Sequence, residues 1–330
     1  MFLLPQPALA SEPRTLPRLS RFQRRVKVSN LTFGLLILAL VLSLAANYHQ
    51  STRFHRLQAP LPSTLRAASV ALRSDAVKSA TNLIVVAGHG IWRGCNTSEW
   101  TDERNWVLQQ HQKGTDNPRA FYSHIKKGVA LASRDPASIL LFSGGYTRPE
   151  LPTQSEAESY LALALQSFDY EASWRARAFT EDYALDSFQN LFFSIMRFHE
   201  LAIAVGKTGR ASWPMRIAVV GFEMKRRRFV ELHRHALRWP NDSFDYIGLD
   251  LLDPTERDKG WQGEETYGFG PYTRDLYGCH GLLAEKRMSR NPAARFFPYK
   301  TTSPELAALI DWCPSETASQ QLFTGPLPWD

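Results

Sequence analysis

From Asn82 onward, short apolar runs alternate with longer amphipathic segments, a pattern that predicts an α/β fold with an open, doubly wound parallel sheet of about five strands. Two further observations frame that domain. A charge-free apolar segment, Val28 to Tyr48, precedes it, and a stretch rich in aromatic, Gly and Pro residues follows it. The chain therefore reads as a basic arm (1–27), a transmembrane signal anchor (28–48), a linker or stalk (49–80), the α/β domain (81–250) and an irregular C-terminal extension (251–330) packed on that domain.

As a helix at ~1.5 Å per residue, Val28 to Tyr48 reaches about 31 Å, against a hydrocarbon core of roughly 30 Å. Arg14, Arg18, Arg21, Arg24, Arg25 and Lys27 precede it, whereas only Arg53 and Arg56 follow closely. The positive-inside bias keeps the arm cytosolic and sends the remainder to a lumen, a single-pass type II arrangement in the secretory pathway. The competing reading is a cleaved signal peptide, since Ser43-Leu44-Ala45 offers small residues at a suitable spacing; the long arm and long apolar core argue against it.

The net charge of +7 suggests a nucleic-acid partner until its location is considered. Without residues 1–30, 33 basic residues face 31 acidic ones, so the folded part lacks the electrostatic footprint of a DNA or RNA binder. The three cysteines, Cys95, Cys279 and Cys313, show no metal-ligand spacing and allow one disulfide. Cys279 with Cys313 is the expected pair, because both lie in the irregular extension where a crosslink limits unfolded-chain freedom; Cys95 is the expected free thiol. Two glycosylation sequons, Asn96-Thr97-Ser98 and Asn241-Asp242-Ser243, fall in polar segments beyond the anchor.

Taken in order, Leu83 to Ala87 is a continuous apolar run, as expected of a strand covered on both faces. Pro118 to Ser133 follows as a helix with Phe121, Ile125 and Val129 on one side. Ser138 to Phe142 gives the second strand, Thr153 to Phe168 a helix, and Arg175 to Thr180 a short third strand. Leu185 to Val205 is a strongly amphipathic helix; Arg216 to Val220, Lys225 to Trp239 and Phe244 to Gly248 complete the series as strand, helix and strand.

In such sheets ligands bind beyond the carboxyl ends of the strands, near the point where strand order reverses. That rule selects Gly88-His89-Gly90, Ser143-Gly144-Gly145, Glu181-Asp182 and the stretch from Phe222 to Arg226. Glycines let backbone amides approach an anion, and Lys225 and Arg226 at a helix start add charge. Each motif also has a structural reading: Gly-rich turns are common after strands, and a run from Lys225 to Arg228 can be a solvated helix face. Ser143 lacks a nucleophile elbow, which favours a ligand-binding or turn-capping hydroxyl.

The order of these motifs, with Ser155-Glu156-Ala157-Glu158, Glu181 and the helix start Asp186-Ser187-Phe188-Gln189-Asn190, resembles the domain-of-unknown-function 218 family, the YdcF-like proteins, over about half the chain. Arg290-Asn291-Pro292 is similar to the extension of its eukaryotic branch. The resemblance implies a Rossmann-like fold, a single N-terminal membrane segment and ligand-binding roles for Glu156 and Asn190. It departs at Glu223, where bacterial members carry a histidine.

These readings converge on an enzyme for a small anionic ligand, phosphorylated or nucleotide-like, in glycan, lipid-carrier or cell-envelope metabolism. Gly88, Gly90, Ser143, Gly144, Gly145, Glu156, Asn190, Lys225 and Arg226 are the candidate ligand-binding residues; Glu223, Glu181, Asp182 and His89 are the candidate acids or bases. No cofactor is specified and no metal is required. The rival reading is a non-catalytic module that binds a nucleotide or an S-adenosylmethionine-like ligand, or a membrane-tethered scaffold.

Overall fold

The computed structural model describes residues 34–46, 74–168 and 172–330. The chain divides into two compact units, Met1–Leu65 and Arg66–Asp330. In the first, residues 34–46 form a helix whose leucines are exposed. Among the described residues no helix is long and apolar enough to cross a membrane, and the expected anchor, 28–48, falls partly outside them.

The second unit is an α/β domain. Strand β1 (Asn82–Ala87) is followed by a small antiparallel pair, β2 (Ile91–Trp92) and β3 (Trp106–Val107), and then by β4 (Ser138–Ser143), β5 (Ala178–Glu181), β6 (Arg216–Gly221) and β7 (Phe244–Gly248). The five long strands form one parallel sheet ordered β5-β4-β1-β6-β7, with Leu83 level with Ile139 on one side and Ile217 on the other. From β1 the chain steps outward to β4 and β5, then returns past β1 to build β6 and β7. The strand order therefore reverses between β1 and β6, where two loops leave in opposite directions and open a crevice.

Successive strand residues point to opposite faces, and both faces are covered. Ile84, Val86, Leu140 and Phe142 pack under helices α1 (Asn117–Arg134) and α2 (Glu156–Ser167), against Phe121, Ile125, Tyr160 and Leu163. Leu83, Val85, Ile139 and Leu141 pack under α3 (Ser187–Ala204), against Leu191, Ile195 and Phe198. Helices α2 and α3 start at side-chain caps. Ser155 and Glu158 form a reciprocal capping box at α2, and Asp186 accepts from the Gln189 N–H at α3.

The single helix expected over Lys225 to Trp239 is broken. A 3₁₀ turn (Glu223–Lys225), a π-helical segment (Arg228–His233) and one α-turn (Arg234–Ala236) follow β6. The extension contains α4 (Pro254–Glu264), a second π-helical segment (Glu265–Phe269) and α5 (Gly281–Ser289). Its residues Tyr272, Leu276, Tyr277, Tyr299, Leu309 and Trp329 join the α3 layer, so it completes the core instead of forming one of its own. Cys279 and Cys313 form the expected disulfide, and Cys95 is free and exposed.

Candidate functional site

A cleft of about 1070 Å³ opens at the carboxyl end of the sheet. Gly88 and His89 reach it from β1, and Phe222, Met224, Lys225 and Arg228 from β6, so it straddles the reversal of strand order. Thr147, Arg148 and Glu156 line it from the β4 side, and Asp186, Ser187 and Asn190 from the start of α3. The segment 109–117 and the extension supply the remaining walls, the extension through residues that include Lys259, Glu264, Tyr267, Lys286 and Arg290.

The lining carries seven Lys or Arg side chains against four carboxylates. Two of those carboxylates are matched by cations of the lining itself. Arg148 lies 3.2 Å from Glu156 and Arg228 lies 3.0 Å from Glu264, all four side chains being buried. Arg148 also donates to the His89 carbonyl at 2.8 Å and to Thr147 Oγ1 at 3.0 Å, while the Nε of Arg148 and of Arg228 are buried without a partner.

Among the described residues, Lys225 has no carboxylate partner. Its Nζ lies 3.3 Å from His89 Nδ1 and faces the Phe222 ring at 5.3 Å, and neither contact neutralises a charge. Burial, and after it the Arg228 charge, brings the Lys225 ammonium down to about 7. His89 stacks on Phe222 at 5.0 Å, and its Nε2 has no partner. Burial first, and then Lys225, holds its pKa well below the usual histidine range, so the imidazole is neutral. Lys286 and His111 are also lowered, by burial and then by neighbouring cations.

Of the residues selected from sequence, the structure brings Gly88, His89, Glu156, Asn190 and Lys225 into the lining. It does not bring in Gly90, Ser143, Gly144, Gly145, Glu181, Asp182, Glu223 or Arg226. Arg226 turns outward, pairing with Glu223 at 2.5 and 2.7 Å, donating to the Tyr246 carbonyl and covering that ring, so both charges are spent on each other. Glu181 is buried behind the cleft. It accepts from Ser143 Oγ at 2.8 Å, from the Tyr183 N–H at 2.8 Å and from Tyr299 OH at 2.9 Å. Asp182 accepts from Ser155 Oγ and Thr180 Oγ1, a bracing role at the α2 start.

The glycine amides expected to face an anion are occupied. Gly88 N–H donates to the Ser143 carbonyl, Gly144 N–H to Glu181 and Gly145 N–H to Ala184. What Gly88 and Gly144 provide is room: a Cβ on either would stand within 3.0 Å of the Glu156 side chain, and Gly144 has φ +155°. Gly90 packs against Leu108 and Phe121. Arg148, Arg228, Lys286 and Arg290 were not selected from sequence. A signal for Arg228 existed, since positions three apart share a helix face while Arg226 and Arg227 fall elsewhere; Lys286 lies on α5 and Arg290, four residues on, is its C-cap.

No protein-family model matches the chain, and no solved structure matches it. It is similar to an uncharacterized protein of Saccharomyces cerevisiae, YOR238W, at 27% identity over 269 residues, covering 66% of this chain and 86% of the yeast protein.

Proposed function

We propose that this chain is a single-pass membrane protein of the YdcF-like, domain-of-unknown-function 218 kind. Its α/β domain faces the lumen of the secretory pathway and acts as an enzyme on a phosphorylated or nucleotide-like anionic substrate. The observation that carries this reading is the excess of cations over carboxylates in the cleft lining around Lys225 at the reversal of strand order, a charge distribution that an anion would complete. A phosphate seated there would meet Lys225, Arg228 and Arg290. The neutral His89 beside Lys225 gives the site a proton acceptor, and an ammonium that titrates near 7 can give or take a proton at physiological pH. Glycan, lipid-carrier or cell-envelope metabolism is the setting that the resemblance suggests.

One observation favours the rival, a non-catalytic nucleotide or S-adenosylmethionine-like binding module: Glu181, Asp182 and Glu223 are all engaged outside the cleft lining. Calorimetric titration of the purified full-length chain with inorganic pyrophosphate tests the shared core of both readings. Lys225→Met should weaken binding by about 1.5–3 kcal/mol, the loss of a charge-assisted contact, whereas Arg226→Ala should leave it within roughly twofold. Equal losses in the two variants, or none, would remove the cleft from consideration. Turnover of a phosphorylated substrate decides between enzyme and binding module.

Orientation rests on the charge bias across Val28 to Tyr48. Protease added to sealed microsomes should leave the α/β domain intact until detergent is present. Digestion of that domain without detergent would reverse the topology.

A further inference from the structure

Ser187 is the first residue of α3 and lines the cleft. Its Oγ lies 2.8 Å from His233 Nε2. His233 is fully buried in an aromatic shell, with Phe188, Phe229 and Tyr272 at ring separations of 5.8, 5.2 and 4.5 Å, and its Nδ1 has no partner. This is the spacing of a hydroxyl nucleophile and its base. The base is kept neutral, because burial first and the Arg228 charge next hold its pKa well below the histidine range.

The surroundings favour attack on an anionic centre. The N–H groups of Ser187 and Phe188 open an 18-residue helix and have no intrahelical acceptor, so they add partial positive charge beside Oγ. Asp186, which could repel an anion there, has its charge offset by partners. It caps the Gln189 N–H and is held by Arg287 at 2.5 Å from α5. The π-helical segment Arg228–His233 delivers both a cation and the base from one turn of irregular helix.

We propose that Ser187 is the nucleophile of a phosphoryl transfer and His233 its general base, with a phosphate ester or anhydride as the substrate class. This rests on the anionic-substrate reading above. In the first step the Oγ–P bond forms as the bond from phosphorus to the leaving oxygen breaks. The Oγ proton passes to His233 Nε2 and from there to solvent, and the leaving oxygen takes a proton from solvent. In the second, water attacks the phosphoseryl group, the P–Oγ bond breaks, and His233 carries the water proton to Oγ. Inorganic phosphate is released and the serine is regenerated.

Because the second step runs backwards with inorganic phosphate, the unidentified leaving group need not be known. The purified full-length chain is incubated with radiolabelled inorganic phosphate, quenched in acid and mapped by peptide mass spectrometry. The expected result is an acid-stable phosphoryl group on Ser187. It should be absent from Ser187→Ala and form roughly 100-fold more slowly in His233→Gln, the scale of a lost general base. Phosphate binding, read by thermal shift, should persist in Ser187→Ala, which shows that the variant is folded. Phosphate binding without label on Ser187, or label unaffected by His233→Gln, would overturn the dyad while leaving the anion cleft standing. No phosphate binding by the parent chain would bring down the anionic-substrate reading and this proposal with it.

Discussion

At the scale of single residues, Glu181 separates what a side chain's chemistry suggests from what its surroundings permit. Burial pushes its carboxyl up to about 7 even though Ser143, Tyr183 and Tyr299 all donate to it. The folded chain thus holds a proton that the unfolded chain releases from about pH 4.3 upward. The stability this group contributes is complete below that value and is lost as pH rises through about 7. Glu181→Gln removes the titration but adds a constant cost, since an amide offers fewer acceptor sites to the same donors. Urea unfolding of the two proteins at pH 5 and pH 8 should therefore show the variant gaining on the parent by on the order of 2 kcal/mol as pH rises. A difference that does not change with pH would contradict the account. Sequence position placed Glu181 correctly at the end of a strand, but it could not show that the extension's Tyr299 closes over it.

At the scale of elements, legibility tracked periodicity. Strands β1, β4 and β6 are built on continuous apolar runs while β5 and β7 are mixed, and the sequence located each within a few residues, the third running Ala178–Glu181 instead of Arg175 to Thr180. The small β2–β3 pair was invisible because two-residue strands have no period. Helix α4 was missed for a related reason: only Glu264 along it is buried, so no apolar face marks it, although Asp253 and Pro254 are a helix start. The break after β6 was also hidden. The apolar spacing of Phe229, Val230 and Leu237 suits an ordinary helix, yet a π-helical turn interrupts it, with Arg228 in the cleft lining and His233 against Ser187. The glycine loops were read as anion cradles; the structure spends their amides on neighbouring carbonyls and their missing side chains on the passage of Glu156.

At the scale of the molecule, the site is made by parts distant in sequence. The switch-point rule selected, from the strand pattern alone, the edge of the sheet at which the cleft opens, and with it Gly88, His89 and Lys225 of its lining. It could not identify the wall contributed by the extension, because Glu264, Lys286 and Arg290 reach the cleft only through a fold that packs Tyr272, Tyr277 and Trp329 on the α3 layer and is tied by Cys279–Cys313. The same packing holds Asp186 through Arg287 and so offsets a negative charge beside Ser187. The central claim is that this composite cleft, and not the outward Glu223–Arg226 pair, is where an anion binds. Crystals of the protein soaked in tungstate, an electron-dense phosphate mimic, test it directly. The account predicts an anomalous peak within contact distance of Lys225 and Arg228. A cleft without a peak, with tungstate bound at Arg226 on the outer surface, would contradict it.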